Sequence, residues 1–220
     1  MKKLHGIILF ILYSGLLIAQ PTRPPFWDDI QAFKKQDSIH FPAAKQILFV
    51  GSSSFTMWRN LQEYFPDFPL LNRGFGGSSL SDLVYYSKDV ITRYHPKQIV
   101  IYCGENDFAA SDTVTVESVV KRFKELFSRI RASDRTVFIS YVSMKPSPSR
   151  KHLLTKFVSA NKEIELFLKE QRRTSFILVF DKMLNTDGTM RDDLYLEDGL
   201  HMNAKGYAIW QKEIEPHLLK

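Results

Sequence analysis

Five short, almost wholly apolar runs recur along this chain, separated by segments of helical length, and that alternation constrains the fold more than any other feature. The runs fall at residues 46–50, 70–72, 98–103, 136–142 and 176–180. Between them, apolar residues return at steps of three and four. Leu83, Val84, Val90 and Ile91 do so in 80–94, and Val116, Val119, Val120, Phe123, Phe127 and Ile130 in 115–131. Leu153, Phe157, Ala160, Ile164 and Phe167 mark another such face, and Tyr207, Trp210 and Ile214 a last one in 204–218. Shorter helices are expected at 26–36 and 54–64. A strand apolar on both faces must be covered on both, and strands joined through helices pair in parallel. The expected class is therefore α/β: one three-layer α/β/α domain over residues 46–220, built on a five-stranded parallel sheet. With 220 residues, 44% of them apolar, the chain can fill one such core.

Residues 1–20 stand apart. Lys2 and Lys3 give a basic start, 7–18 is nearly all apolar, and small Ala19 precedes Gln20 and Pro21, the pattern of a secretory signal peptide. The stretch is short for a membrane span. An uncleaved N-terminal anchor is the alternative, and only then would a membrane be a partner. Residues 21–45 read as a proline-rich connector and a short helix packed on the domain. The resulting protein is expected to be secreted or periplasmic. The full chain's net charge of +6 is spread without a basic stripe interleaved with aromatics, so nucleic acid is not an expected partner. Cys103 is the single cysteine, which excludes an intrachain disulfide; it reads as a small buried side chain.

In a parallel sheet every post-strand loop lies on one rim. Four of these loops carry unusual residues: Ser52-Ser53-Ser54 after a strand and Gly51; Gly74, Gly76 and Gly77; Gly104, Asn106 and Asp107; and Asp198-Gly199-Leu200-His201. Acyl transfer needs these types. A serine hydroxyl becomes a nucleophile when a base takes its proton, and histidine suits that task near neutral pH. A carboxylate three residues before a histidine can bond its other ring nitrogen. The developing oxyanion needs fixed N–H donors, which a glycine backbone or an asparagine amide supplies. Taken singly, each piece is open. The glycines also read as a turn, Asn106-Asp107 as a cap, His201 as a structural histidine, and Asp198 with His201 as part of a metal site that lacks further ligands. Asp107 reads as a loop organiser.

Together, and in this order, the four blocks resemble the SGNH (GDSL-type) hydrolase family of serine esterases and lipases, from about residue 46 to the C-terminus. The resemblance implies a flavodoxin-like fold and a role for each block. Ser53 matches the nucleophile, His201 the base and Asp198 its orienting partner. The N–H groups of Ser53 and Gly77 and the side chain of Asn106 match the oxyanion donors. Ser52 stands where the family pattern has aspartate, which leaves Ser52 and Ser54 as competitors for the nucleophile; Ser53 is the assignment made here. The chemistry implied is ester hydrolysis through an acyl-enzyme, with no cofactor and no metal. The substrate implied is a small-molecule or carbohydrate ester of short acyl chain, acetyl first. Alternatives are a lysophospholipase or thioesterase with a longer acyl pocket, and a catalytically silent glycan-binding domain. Lys145, Arg150 and Lys151, in the loop 143–151, are expected to be solvated surface, with an anionic substrate as the other reading. Trp58 and Phe75 are expected in the core.

Overall fold

The computed structural model describes residues 23–220; residues 1–22, and with them the proposed signal segment, lie outside the description. The sheet has five strands: β1 (Ile47–Gly51), β2 (Leu70–Asn72), β3 (Gln98–Tyr102), β4 (Phe138–Val142) and β5 (Thr174–Ile177). All neighbours are parallel, in the order β2-β1-β3-β4-β5. This is the three-layer α/β/α architecture expected from the sequence. Alternate residues of each strand serve opposite faces. Leu48, Val50, Ile99, Ile101, Ile139 and Tyr141 face one apolar layer, while Ile47, Phe49, Val100, Tyr102, Val142 and Ile177 face the other.

On the first face lie α1 (Trp27–Ile39), α4 (Leu80–Tyr85), α5 (Ser87–Val90), α7 (Val116–Ser133) and α8 (Leu154–Lys169). The second face is covered by α2 (Ser53–Thr56), α3 (Leu61–Tyr64) and α9 (Ala204–Ile214), while α6 (Glu105–Ala109) follows β3 on the rim. Two of the long helices, α7 and α9, begin at side-chain caps. Thr115 Oγ1 accepts from the Ser118 N–H, and Asn203 Oδ1 from the N–H groups of Lys205 and Gly206. Among the described residues, no helix is long and apolar enough to cross a membrane.

Several expected elements differ, each for a tertiary reason. The helix expected at 54–64 is two short ones. Between them Trp58 leaves the helical path and is buried against Tyr64, Phe65 and Tyr207, at ring-centroid separations of 5.2, 5.6 and 4.8 Å. The helix expected at 80–94 breaks after α4 and again after α5, and ends in a 3₁₀ turn, Thr92–Tyr94. Here Tyr86 donates to the Pro25 carbonyl and Tyr94 to Asp37, contacts that regular helix geometry would not reach. The last strand pairs over Thr174–Ile177, earlier than the apolar run at 176–180, because the N–H groups of Val179 and Phe180 turn to Ser143 Oγ. The final helix ends at Ile214, and Glu215–His217 continue as a 3₁₀ turn.

Candidate active site

The chain runs from β1 outward to β2, then returns past β1 to build β3, β4 and β5 on its other side. The strand order therefore reverses between β1 and β3, and loops leaving that pair diverge to open a crevice. Ser53 follows β1 and Asn106 follows β3. The turn after β1 depends on Gly51, whose φ is +144°; a Cβ there would lie 1.9 Å from the Tyr102 carbonyl oxygen. The close approach lets the Ser52 N–H bond that same carbonyl at 3.0 Å. Ser53 is thereby set at the first position of α2, where a backbone N–H has no acceptor within its own helix.

His201 and Asp198 arrive from the opposite end of the sequence on a tight turn. The Asp198 carboxylate accepts from the N–H groups of Leu200 and His201, both at 2.9 Å. The Leu196 N–H bonds the His201 carbonyl at 2.8 Å, which closes the turn. Asp198 Oδ2 lies 2.6 Å from His201 Nδ1, and His201 Nε2 lies 3.0 Å from Ser53 Oγ. Partial burial disfavours the Asp198 charge, but the bonds from the His201 ring and from the two N–H groups outweigh it and hold the carboxyl at about 2. An ionised Asp198 fixes the proton on Nδ1 and turns the bare Nε2 toward the serine. Ser52 and Ser54, the competing serines, are buried, and Ser52 Oγ is bonded by Asn106 at 2.6 Å.

Gly77 has φ +84°, a left-handed conformation suited to glycine, and among the described residues its N–H has no acceptor. The neighbouring Gly76 lies next to Ser53, with an ideal Cβ position 3.9 Å from the serine Cβ. Asn106 Nδ2 donates to Ser52 Oγ at 2.6 Å and to the Ser78 carbonyl at 3.0 Å. Asp107 accepts from the Leu80 N–H and from Arg122, both at 2.8 Å, and so ties the start of α4 to α7. Cys103 is buried, and burial pushes its thiol up.

The loop 143–151 departs from its expected character. Lys145 is only 1% exposed and Arg150 is half-buried; neither is solvated surface, although Lys151 is exposed. The reason is Glu105, 40 residues before Lys145 and 45 before Arg150. Its carboxylate accepts from the Lys145 N–H at 3.0 Å and from Arg150 Nη1 at 3.2 Å, with Lys145 Nζ 3.4 Å away. It also accepts from the Tyr102 hydroxyl. Burial opposes the Glu105 charge, and the two cations and these bonds hold its pKa below the ordinary range. Arg150 Nη2 then reaches Asn106 Oδ1 at 2.6 Å. Sequence reasoning missed this cluster. Glu105 was visible beside Asn106, but nothing local joins it to cations so far along the chain.

Residues 45–209 match the GDSL-like Lipase/Acylhydrolase family. The chain belongs to that family. A GDSL-like lipase from Bacteroides thetaiotaomicron has the same fold, with a TM-score of 0.74 at 18% identity over 86% of this chain and 96% of that one. A carbohydrate esterase family 3 protein from Talaromyces cellulolyticus superposes with a TM-score of 0.60 at 14% identity, over 79% of this chain and 95% of the other. A curated relative, N-acylneuraminate cytidylyltransferase from Escherichia coli, is 23% identical over 176 residues. This chain spans only 40% of the length of that protein. In this GDSL-like acylhydrolase the crevice between β1 and β3 narrows to a cavity of about 10 Å³ lined by Ser52, Ser53, Asn106, Arg150, Leu200 and His201. The walls mix polar and apolar surface, and the volume is close to that of a single water site. Trp58 and Phe75 do not line it; both are core residues.

Proposed function

We propose that this acylhydrolase is a serine esterase that hydrolyses short-acyl esters, acetyl esters first, through Ser53, His201 and Asp198. The observation that carries the reading is the unbroken chain Ser53 Oγ–His201 Nε2 at 3.0 Å and His201 Nδ1–Asp198 Oδ2 at 2.6 Å. Ser53 attacks the ester carbonyl as His201 takes its proton. The N–H groups of Ser53 and Gly77 and the Asn106 amide receive the oxyanion. His201 passes its proton to the departing alcohol and then activates water, which releases the acid and restores Ser53. Asp198 stays ionised and stabilises the imidazolium.

The short acyl preference is supported by the small size of the cavity beside Ser53, about 10 Å³. A carbohydrate-linked ester is the preferred alcohol class, on the likeness in fold to the family 3 carbohydrate esterase. We further propose that residues 1–20 direct export and that the catalytic domain spans 46–220; both rest on sequence alone. The test is hydrolysis of p-nitrophenyl esters from acetate to octanoate, with fluorophosphonate labelling and a folded Ser53→Ala control. Acetate hydrolysis and labelling that both vanish in the variant are expected. A wild type that is folded yet neither labels nor hydrolyses any ester would refute the reading, and a preference for octanoate would refute its short-acyl part.

A further inference from the structure

We propose that Arg150 is a positioning residue for the oxyanion donor: its guanidinium holds the Asn106 carboxamide with its NH₂ end, not its oxygen, toward the cavity that Ser53 lines. A carboxamide has two ends of similar shape, and its hydrogen-bond partners decide which end faces where. At Asn106 both ends are determined. Arg150 Nη2, which can only donate, lies 2.6 Å from Oδ1. The Ser78 carbonyl, which can only accept, lies 3.0 Å from Nδ2. With these two contacts set, the second Nδ2 hydrogen bonds Ser52 Oγ, 2.6 Å away in the cavity that Ser53 also lines, and it is this bond that is exchanged for an oxyanion.

Arg150 is itself held. Its Nη1 bonds Glu105, whose carboxylate is anchored by the Lys145 N–H and the Tyr102 hydroxyl. The turn that carries Arg150 also docks on the histidine loop, because the Ser149 N–H bonds the Gly199 carbonyl at 3.0 Å. A cation bound to the carbonyl end of an amide also draws electron density from its nitrogen and strengthens the N–H donor. The contact therefore orients and polarises the same group. It accounts for a buried lysine, a buried carboxylate and a half-buried arginine beside Ser53, where a neutral pocket would avoid the cost of desolvating them.

The kinetic arm of the test rests on the esterase reading; the spectroscopic arm does not. The first compares p-nitrophenyl acetate hydrolysis by wild type, Arg150→Met, Asn106→Ala and the double variant, with Arg150→Lys as the conservative partner. In Arg150→Met, kcat is expected to fall about tenfold with KM changed by less than about twofold, a smaller loss than the ~10²–10³-fold expected on removing a donor outright. In the Asn106→Ala background the same substitution should cost less than about twofold, because its effect passes through the amide. Arg150→Lys should recover part of the loss, as it restores the charge without the fork. The second arm follows the Asn106 side-chain NH₂ resonances by ¹⁵N NMR. They should shift, and their hydrogens exchange faster, in Arg150→Met. A full tenfold loss that persists without Asn106, or a wild-type rate in Arg150→Met, would overturn the proposal, as would unmoved amide resonances. If no ester is hydrolysed by wild type, the esterase reading fails and the NMR result alone decides this one.

Discussion

His201 meets Ser53 across 148 positions of sequence, whereas its other partner is only three residues away. That asymmetry explains what single residues reveal. The spacing of Asp198 and His201 was legible because a tight turn forces the pair together. The pairing with Ser53 was legible only through the assumption that post-strand loops share a rim. Asn106 was legible as a donor, but the guanidinium behind it was not, because a charge in a Pro-Ser loop reads as solvated until its carboxylate is located. The low Asp198 pKa makes a prediction at this scale. A carboxyl held at about 2 is ionised throughout the working range and releases its contribution only as pH falls through that value. Titration of Asp198 should therefore contribute no limb to the kcat/KM profile in the working pH range. Asp198→Asn should lower kcat by roughly 10³-fold or more, since the ring loses both its tautomer and its counter-charge. A pH–rate profile of each protein checks both points; a loss smaller than about tenfold would remove Asp198 from the role.

At the scale of elements, burial decided legibility. The central strands β1 and β3 are apolar on both faces and fall where the sequence placed them, within one residue at their ends. The edge strand β5 slid toward the N-terminus, since pairing there is interrupted by the Ser143 hydroxyl and hydrophobicity continues past the ladder. The broken helices between β2 and β3 escaped for the opposite reason. Their apolar period runs on while the Tyr86 and Tyr94 hydroxyls pull the backbone to distant partners. The β1–α2 junction tests how far an element depends on one residue. Gly51 lies between the strand and Ser53 and has no room for a side chain, with the Tyr102 carbonyl 1.9 Å from the ideal Cβ site. A forced left-handed alanine and a backbone clash together should cost about 3 kcal/mol or more. Gly51→Ala is expected to lower the urea midpoint accordingly and to abolish labelling of Ser53 in whatever fraction folds. A midpoint equal to wild type would show that the junction tolerates a wider turn.

At the scale of the molecule, the N-terminal helix is more than the external packing expected of it. Ile30 of α1 is buried in the core, and Asp37, at its far end, is buried with Arg73 and Tyr94. Arg73 Nη2 reaches Asp37 Oδ1 at 2.6 Å, and the Tyr94 hydroxyl donates to Oδ2 at 2.7 Å. Arg73 leaves β2 and leads directly into Gly74–Gly77, so this ion pair fastens the first helix to the loop that offers the Gly77 N–H. The sequence could not show it, because Asp37 sits in a polar helix segment and Arg73 in a glycine loop, and neither is patterned for burial. The energetic consequence is asymmetric. An intact buried pair contributes little net stability, but removal of one partner leaves a charge in the interior at a cost of about 3–5 kcal/mol. Asp37→Ala strands the Arg73 guanidinium, whose side chain is 8% exposed. The variant should therefore unfold at lower urea by that amount, whereas Asp37→Ala combined with Arg73→Met should recover much of the loss. Because Arg73 anchors the glycine loop, kcat of the folded single variant should fall as well, with binding of substrate less affected. A double variant no more stable than the single one would mean that the contact holds the helix through hydrogen bonding, not through charge compensation.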